Sequence, residues 1–439
     1  MNDTIFALSS PAGGAIAVIR ISGNEALETL TSVFSGDVKP RTVSHGKLLD
    51  GGETVDDIMA VYIPSPKTYT GEDMAELYTH GGAAVVSRAL DLLQSKGLRP
   101  AEPGEFTRRA YINGKMDLAQ AEAVMDVISA SAERSAKAAV MQLEGSLSRE
   151  LSRIEDILVD ALSGIDAAID YPDELEEDVF SGLPAALNEA ALGISKLLEG
   201  AKHAAVLREG ASIVILGRPN TGKSSLMNAL IGHSRAIVTP VPGTTRDIIE
   251  EQTSFNGVPV RIADTAGLRE TDDLVENIGI QRAKEAKENA DLLLLAFDSA
   301  GEWSTEDESL LNETRGKERI AVLCKSDLEP KISENELRVL TGLEVCTVSS
   351  LTGEGIEELK GNILKKVAPS EESPLVTNKR HIALLKTAHE SLESALLTNE
   401  PDCAATDIKT ALDHIGQITG KTVDEKVLDR IFERFCVGK

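Results

Sequence analysis

The chain has 439 residues, of which 42% are hydrophobic, 26% charged and 3% aromatic, and its formal net charge at pH 7 is −26. A chain of this length should form about two to four domains, because a single hydrophobic core rarely grows past about 250–300 residues. The acidic balance excludes a generally basic surface for nucleic acid, and the few aromatic residues argue against platforms that stack unpaired bases. An RNA partner would have to be reached through a local basic patch or through another protein.

The cysteines and the first residues indicate a cytoplasmic protein. Cys324, Cys346, Cys403 and Cys436 are far apart, and no C-x-x-C pair suggests a zinc or redox site. Their simplest interpretation is reduced thiols in the cytosol. The start of the chain lacks the basic region and apolar core of a signal peptide, and no apolar run is long enough to span a membrane.

Residues 1–116 have the mixed pattern of an α+β domain. Short β-rich runs at 16–21 and 58–63 alternate with glycine and proline turns, and residues 83–96 have the pattern of a helix. We expect a small sheet with helices packed on it.

Residues 117–207 and 369–439 are predicted to form one helical domain. Apolar residues recur at helical spacing from 140 to 165, an acidic stretch at 171–178 predicts an interrupting turn, and a second helical pattern covers 184–207. After Pro369 and a linker-like stretch, further helices are predicted at 381–397 and 423–435.

Residues 208–368 alternate apolar strands with helical stretches, such as 278–289, which is typical of βα units and a mostly parallel sheet. This α/β domain is therefore predicted to be inserted into the helical domain. Its conformational state could be passed to the helices through both connections.

Residues 217–224 read Gly-Arg-Pro-Asn-Thr-Gly-Lys-Ser directly after the apolar run 213–216. They match the phosphate-binding loop G-x-x-x-x-G-K-[ST] in its strand-then-helix setting. Lys223 can neutralise the β and γ phosphate oxygens, and the Ser224 hydroxyl can ligate Mg²⁺. The residues assigned to nucleotide binding in this loop are Asn220, Thr221, Gly222, Lys223, Ser224 and Ser225.

Further segments complete a guanine-nucleotide site in the expected order. Asp264 can hold Mg²⁺ through water, Thr245 can complete the Mg²⁺ shell, and the Asp327 carboxylate can accept the N–H groups of guanine. Each segment alone is also an ordinary surface turn after a strand, but their order favours a GTP-hydrolysing enzyme. The additional residues assigned to GTP binding are Thr239, Pro240, Val241, Pro242, Gly243, Thr244, Thr245, Asp264, Thr265, Ala266, Gly267, Cys324, Lys325, Ser326, Asp327, Ser349 and Ser350.

Two positions depart from the ordinary GTPase pattern. Cys324 stands where an asparagine is usual, so guanine affinity should fall because polar contacts are lost. Leu268 stands where Ras-type enzymes have a water-orienting glutamine. Glu276 is our candidate for orienting water, and the alternative is that Glu276 only begins the helix predicted at 278–289.

Several segments together resemble the MnmE (TrmE) family of tRNA-modification GTPases, from the first residues to the last. The segments are 3–5 (DTI), 18–23 (VIRISG), 69–73 (YTGED), 101–110 (AEPGEFTRRA), 114–123 (GKMDLAQAEA) and 435–439 (FCVGK). The G-E-F-T-R-R segment and the terminal C-x-G-K are specific to that family.

The resemblance implies that the chain works with the flavoprotein MnmG (GidA), which carries FAD, in a heterotetramer. The pair would place an aminomethyl or carboxymethylaminomethyl group on C5 of the wobble uridine of certain tRNAs. The one-carbon unit would come from 5-formyl- or 5,10-methylene-tetrahydrofolate on the N-terminal domain, which would also form a homodimer. The tRNA would be contacted mainly through the partner. The folate-binding positions implied are Arg20, Glu76, Lys115 and Lys439.

The resemblance also implies that the inserted α/β domain is a G domain (a GTP-binding domain), that two such domains of a dimer meet across the nucleotide, and that K⁺ replaces an arginine finger. Glu276 matches the family's catalytic glutamate. The implied K⁺ ligands are Asn220, Thr239, the Val241 carbonyl and Thr244.

Cys436 is a candidate nucleophile, because a thiolate can attack C6 of a pyrimidine or a one-carbon adduct. Nothing near it in sequence supplies a base, and a buried, inert thiol is the alternative.

Two other functions remain open from the sequence. A switch GTPase of ribosome or RNA assembly shares the phosphate loop but predicts a basic RNA-binding appendage. A folate-binding or dimerisation scaffold with a decayed G domain is supported only by Cys324, and the intact Lys223, Ser224 and Asp264 count against it.

Overall fold

The computed structural model describes residues 3–11, 13–170, 172–201, 204–232, 250–264, 285–368, 376–398 and 400–439. Its strands are β1 Ile5–Leu8, β2 Ile16–Ser22, β3 Ser44–Asp50, β4 Glu53–Ile63, β5 Met74–His80, β6 Arg99–Pro100, β7 Ala211–Leu216, β8 Glu250–Phe255, β9 Val258–Asp264, β10 Leu292–Asp298, β11 Arg319–Cys324 and β12 Val345–Thr347. Its helices are α1 Ala26–Val33, α2 Ala83–Ser95, α3 Glu105–Ile112, α4 Leu118–Ser129, α5 Glu133–Leu143, α6 Ser146–Asp170, α7 Pro172–Ala201, α8 Ala204–Glu209, α9 Lys223–Ile231, α10 Thr305–Glu313, α11 Glu334–Thr341, α12 Ile356–Val367, α13 Lys379–Leu397, α14 Pro401–Thr419 and α15 Glu425–Phe432.

The chain divides into two compact units. The first contains residues 1–125, 143–152 and 412–439, and the second contains residues 126–142 and 153–411. Within the described part of the chain, none of the helices combines the length and apolar character needed to cross a membrane.

The sheet of the first unit has the strand order β3-β4-β5-β2-β1-β6. Its pairs are antiparallel except β1 with β6. Apolar residues of α1 and α2, including Leu30 and Leu93, share one buried core with Ile19, Ile21 and Leu77 of the sheet. The predicted strands and the helix at 83–96 are confirmed, although β4 begins earlier than expected, at Glu53.

An ionic cluster centred on a buried arginine joins α3 to the sheet of the first unit. The Arg109 side chain is 1% exposed, and its guanidinium lies 2.8 Å from Asp3, 3.1 Å from Glu72 and 2.9 Å from Glu105. Arg99 pairs with Asp3 at 2.7 Å and with Glu105 at 2.6 Å. Buried charges need such pairing because removing them from water is costly. Two residues of the G-E-F-T-R-R segment, Glu105 and Arg109, therefore have a structural role in this ionic cluster.

The helical predictions need correction at several points. The pattern from 140 to 165 is two helices, because Gly145 adopts φ +78° between α5 and α6. The predicted acidic turn is wrong for residues 172–178, which begin α7. Proline at the first helical position and acids in the first turns favour a helix start, which explains the error. Pro184 lies inside α7, and Asp424 caps α15, which is shorter than predicted.

The sheet of the second unit has the order β12-β11-β10-β7-β9-β8. Only β8 runs antiparallel to its neighbour, and the other pairs are parallel. Ile213 and Ile215 of β7 join a core with α9 and α12, whereas Val214 and Leu216 join a core on the other face. Burial on both faces explains the continuous apolar runs of these strands. The predicted mostly parallel sheet is confirmed.

Helix α5 is bonded to the nucleotide domain at its first turn and to both chain connections. The Arg134 N–H donates to the Gly257 carbonyl, at the turn between β8 and β9, at 2.9 Å. The Ser135 hydroxyl donates to the Leu207 carbonyl on the entering connection. Gln142 Nε2 lies 2.9 Å from Thr377 Oγ1 on the returning connection. One helix is therefore hydrogen-bonded to the nucleotide domain directly and to each of the two chain connections that lead into and out of it.

Candidate functional site

The phosphate loop connects β7 to α9 and closes on itself. Gly222 precedes α9 with φ +99°, a conformation that favours glycine. The Arg218 carbonyl accepts hydrogen bonds from Thr221 Oγ1 at 2.9 Å and from Lys223 Nζ at 2.7 Å. Thr221 and Lys223 are buried, at 1% and 7% exposed. The first N–H groups of a helix have no intrahelical partner and carry a positive dipole, so they can bind an anion.

Other groups of the loop face solvent. Asn220, Ser224 and Ser225 are exposed, and Asn220 adopts φ +65°. An exposed hydroxyl at the start of α9 and an exposed amide before it are accessible to a metal ion and to phosphate oxygens.

The segments predicted to recognise guanine follow β11 and β12, which are adjacent parallel strands. Ser349 is fully buried, and its hydroxyl donates to Asp327 Oδ1 at 2.6 Å. The Ser326 N–H donates to the Val348 carbonyl at 3.2 Å. These bonds hold an exposed Asp327 carboxylate at the carboxyl edge of the sheet, near the partly buried Ser350. A carboxylate fixed in this way can accept two neighbouring N–H groups of a base.

Lys325 links this segment to the phosphate loop. Its Nζ donates to the Asn220 carbonyl at 2.7 Å and pairs with Asp298 at 2.6 Å. Cys324 is 1% exposed, and burial, with a smaller effect from Asp298, raises the pKa of its thiol to about 12. The thiol therefore stays protonated and cannot act as a nucleophile.

Part of the predicted site lies outside the described residues. Asp264 ends β9 with its backbone beside Ile215 of β7, one residue before the end of the strand that leads to the phosphate loop. The side chain of Asp264 is not among the described groups. The predicted residues Thr239, Pro240, Val241, Pro242, Gly243, Thr244, Thr245, Thr265, Ala266, Gly267 and Glu276 lie outside the described residues.

A second candidate site lies on the sheet of the first unit. Arg20 of β2 and Glu76 of β5 are register partners, with Arg20 Nε 2.9 Å from Glu76 Oε1. The Tyr78 hydroxyl donates to Glu76 Oε2 at 2.8 Å. Burial, followed by this carboxylate, raises the pKa of Tyr78 to about 12. The Arg20 guanidinium carbon also lies 5.6 Å and 5.9 Å from the ring centroids of Tyr69 and Phe106.

The last residues of the chain join this cluster. Burial, and then the positive charge of Arg20, lowers the pKa of Lys439, whereas Cys436 and Glu76 act in the opposite direction. Cys436 is exposed, which contradicts the alternative of a buried thiol. The Ser9 hydroxyl donates to the Gly438 carbonyl at 3.0 Å, which ties the segment to the end of β1. Lys115 is exposed and donates to the Pro66 carbonyl at 3.0 Å.

Tyr78 was not among the sequence candidates. Side chains two residues apart in a strand share one face, so the spacing from Glu76 was the available signal. The sequence assigns both Asp327 and Ser349 to the base-binding segments, but it does not predict the hydrogen bond between them.

Two family descriptions match the chain. "GTP-binding protein TrmE N-terminus" matches residues 4–115, and "MnmE helical domain" matches residues 118–436. The chain is 40% identical over 457 residues to the tRNA modification GTPase MnmE of Clostridioides difficile, covering 100% of both chains. It is 41% identical to that of Lactiplantibacillus plantarum over 100% of this chain and 98% of the relative.

Solved structures give weaker similarities. The G domain of the FeoB iron transporter of T. maritima is 32% identical over 36% of this chain and 98% of its own, with a TM-score of 0.28.

Proposed function

The chain belongs to the MnmE family of tRNA-modification GTPases, and on that premise we propose that it hydrolyses GTP to drive modification of the tRNA wobble uridine. The carrying observation is about 40% identity to tRNA modification GTPases over the whole length of both chains. The proposed product is an aminomethyl or carboxymethylaminomethyl group on uridine C5, made with an FAD-bearing MnmG-type partner. The alternative of a ribosome-assembly switch is not favoured, because both matched family descriptions belong to the modification proteins.

The phosphate loop supports the nucleotide part of this proposal. Lys223 lies along the loop at the start of α9, where its ammonium can move from the Arg218 carbonyl to phosphate oxygens. Ser224 is exposed at the same helix start and would hold Mg²⁺ together with Thr245. Bound Mg²⁺ supplies positive charge against the phosphates. Asp327, held by Ser349, would select guanine because adenine would leave its carboxylate without a partner.

The potassium part of the proposal depends on Asn220, Thr239, Val241 and Thr244. Asn220 supports it, because its exposed amide lies within the phosphate loop on a backbone whose carbonyl is bonded to Lys325. Bound K⁺ would offset charge that develops between the phosphates. Glu276 would orient the attacking water. Hydrolysis should be faster in potassium than in sodium at equal ionic strength, and Glu276→Gln should slow it in both salts. Equal rates in the two salts would remove this part.

The cluster on the first unit fits a folate. A folate has a glutamate tail that attracts cations and a pterin ring whose N–H edge suits a carboxylate. Arg20 and Lys439 supply cations, Glu76 supplies a carboxylate held at both oxygens, and Tyr69 supplies an aromatic face beside Arg20. Lys115 would bind the tail from the neighbouring loop. Bound tetrahydrofolate supplies the one-carbon unit.

Cys436 supports a covalent step near this cluster. Its thiol is exposed and belongs to the same terminal segment as Lys439. A thiolate at this position could attack pyrimidine C6 or a one-carbon adduct. Cys436→Ser should abolish modification while GTP hydrolysis is retained, and a fully modified tRNA would exclude the role.

The organisation of the assembly is also proposed. We assign folate binding and dimerisation to residues 1–116, coupling to residues 117–207 with 369–439, and GTP hydrolysis to residues 208–368. The tRNA would be contacted mainly through the flavoprotein, which agrees with the net charge of −26. A cytoplasmic location is supported because all four cysteines of the chain are free thiols, and the cytosol keeps thiols reduced.

Mass analysis of tRNA nucleosides tests the whole proposal. Cells lacking this chain should lose the modified wobble uridine, and the natural chain should restore it. The Lys223→Ala variant should not restore the modified uridine, because it cannot hydrolyse GTP. The Arg20→Ala variant should not restore it either, although its GTP hydrolysis should be normal. Unchanged uridines in the deletion strain would overturn the modification function and leave the GTPase activity intact.

A further inference from the structure

We propose that Arg218 and Asp307 are positioning residues that preorganise the phosphate loop for nucleotide. Arg218 occupies an unspecified position of the loop pattern, and its side chain turns to the segment after β10. Arg218 Nε lies 2.9 Å from Asp307 Oδ1, and Arg218 Nη2 donates to the Glu302 carbonyl at 3.0 Å. The side chains of Arg218 and Asp307 are 26% and 2% exposed, so the ion pair is partly shielded from water, and the contact between Nε and Oδ1 is an electrostatic one rather than a hydrogen bond.

Asp307 is fixed independently of Arg218. Its Oδ2 accepts hydrogen bonds from the Ser304 N–H and the Ser304 hydroxyl, both at 3.0 Å, in the capping box that begins α10. The other carboxylate oxygen faces Arg218. The arginine therefore binds to an anchor that the start of a helix already holds in place.

The anchored residue is also the acceptor around which the loop folds. The Arg218 carbonyl accepts the hydrogen bond from the buried Thr221 hydroxyl, so fixing Arg218 fixes the turn of the loop, whereas Lys223 exchanges its bond to the same carbonyl for phosphate when nucleotide binds. Lys325 holds the Asn220 carbonyl on the far side of the loop, where Asn220 adopts φ +65°. A non-glycine residue in this region costs free energy and persists only when its surroundings impose it.

Preorganisation predicts an effect on affinity and not on the chemical step. A loop ordered before binding avoids the entropic cost of fixing each residue that nucleotide would otherwise have to order. Because the Arg218 guanidinium faces Asp307, replacing Arg218 should change the dissociation constant for nucleotide and leave kcat largely unaltered. A group touching the reacting phosphate would instead change kcat.

The test is a double-mutant cycle with Arg218→Met, Asp307→Asn and the double variant in the full-length chain. Affinity for a fluorescent GDP analogue and steady-state GTP hydrolysis are measured for each. Each single variant should raise the dissociation constant and KM about tenfold, equal to about 1.4 kcal/mol, with kcat within about twofold. The double variant should be no weaker than the weaker single variant, because the pair acts as one unit.

Lys331→Ala is the matched control. Lys331 pairs with Glu302 of the same segment at 3.4 Å, but both side chains are exposed, at 58% and 83%. It should leave affinity unchanged. Unfolding followed by Trp303 fluorescence checks that each variant is folded.

Three results would overturn the proposal. They are unchanged affinity in folded Arg218→Met, independent and additive losses in the double variant, and a fall in kcat at unchanged affinity. The last result would mean that Arg218 leaves Asp307 and contacts the phosphates.

Discussion

Replacing Arg109 with methionine should destabilise the first unit by about 3 kcal/mol. Breaking a buried ion pair by removing one partner costs about 3–5 kcal/mol, because the remaining charge is left buried. Methionine preserves the apolar part of the arginine side chain, so the fall in the free energy of unfolding reports the loss of the guanidinium alone. We expect the lower end of the range, because Arg99 still pairs with Glu105 and Asp3 after the change.

The aromatic residues allow this change to be localised. Four of the five tyrosines, Tyr62, Tyr69, Tyr78 and Tyr111, belong to the first unit, whereas Tyr171 and Trp303, the only tryptophan, fall in the second. Denaturant unfolding should therefore be followed, in a Tyr171→Phe background, by near-ultraviolet circular dichroism of tyrosine and separately by fluorescence of selectively excited tryptophan. The tyrosine transition should move to lower denaturant and the tryptophan transition should not.

Arg88→Met is the control within the same unit. Arg88 pairs with Glu53 at 2.7 Å, but the side chains are 41% and 70% exposed. Its unfolding midpoint should stay unchanged, because exposed ion pairs contribute little. If Arg109→Met behaves like this control, the ionic cluster does not stabilise the unit as argued.

Cys324→Asn should tighten GDP binding about tenfold in isothermal titration, because the carboxamide restores polar contacts; weaker or equal binding would contradict this. Ser349→Ala should weaken GTP binding about fivefold without changing ATP binding, because Asp327 loses its 2.6 Å hydrogen bond. A competition assay with both nucleotides measures it, and equal losses would argue against a guanine-specific role. Burial raises the pKa of Glu105, but hydrogen bonds from Arg99, a backbone N–H and Arg109 outweigh it and lower that pKa. The ionised Glu105 carboxylate therefore stabilises the first unit fully above the unfolded-state pKa of about 4.3, and this stabilisation is lost as pH falls through the lower folded-state pKa. The denaturant midpoint of the tyrosine transition should therefore fall only in acid.

The sequence signals that predict a nucleotide site are local. A strand, a glycine-rich turn and a helix start are encoded within a few residues, and the ends of parallel strands meet at one edge. The contacts between these turns, such as Lys325 with Asn220, depend on side-chain packing that spacing does not specify.

The ionic cluster could not be predicted, because its members come from distant parts of the chain. Asp3, Glu72, Arg99 and Arg109 read separately as surface charges, and only the fold brings them together. The missed break at Gly145 has a different cause. Apolar spacing continues across it, so periodicity alone does not separate α5 from α6.

The bond between Arg134 and Gly257 has an evolutionary consequence. It joins two backbone atoms, so its energy does not depend on either side chain, and paired substitutions among relatives cannot reveal it. What it does require is the glycine: at φ +75°, a Cβ there would lie 3.2 Å from Arg134 Cγ and 3.4 Å from its nitrogen. The link between the nucleotide domain and α5 is thus specified by the shape of a turn, and selection on it would act on one glycine rather than on a pair of side chains.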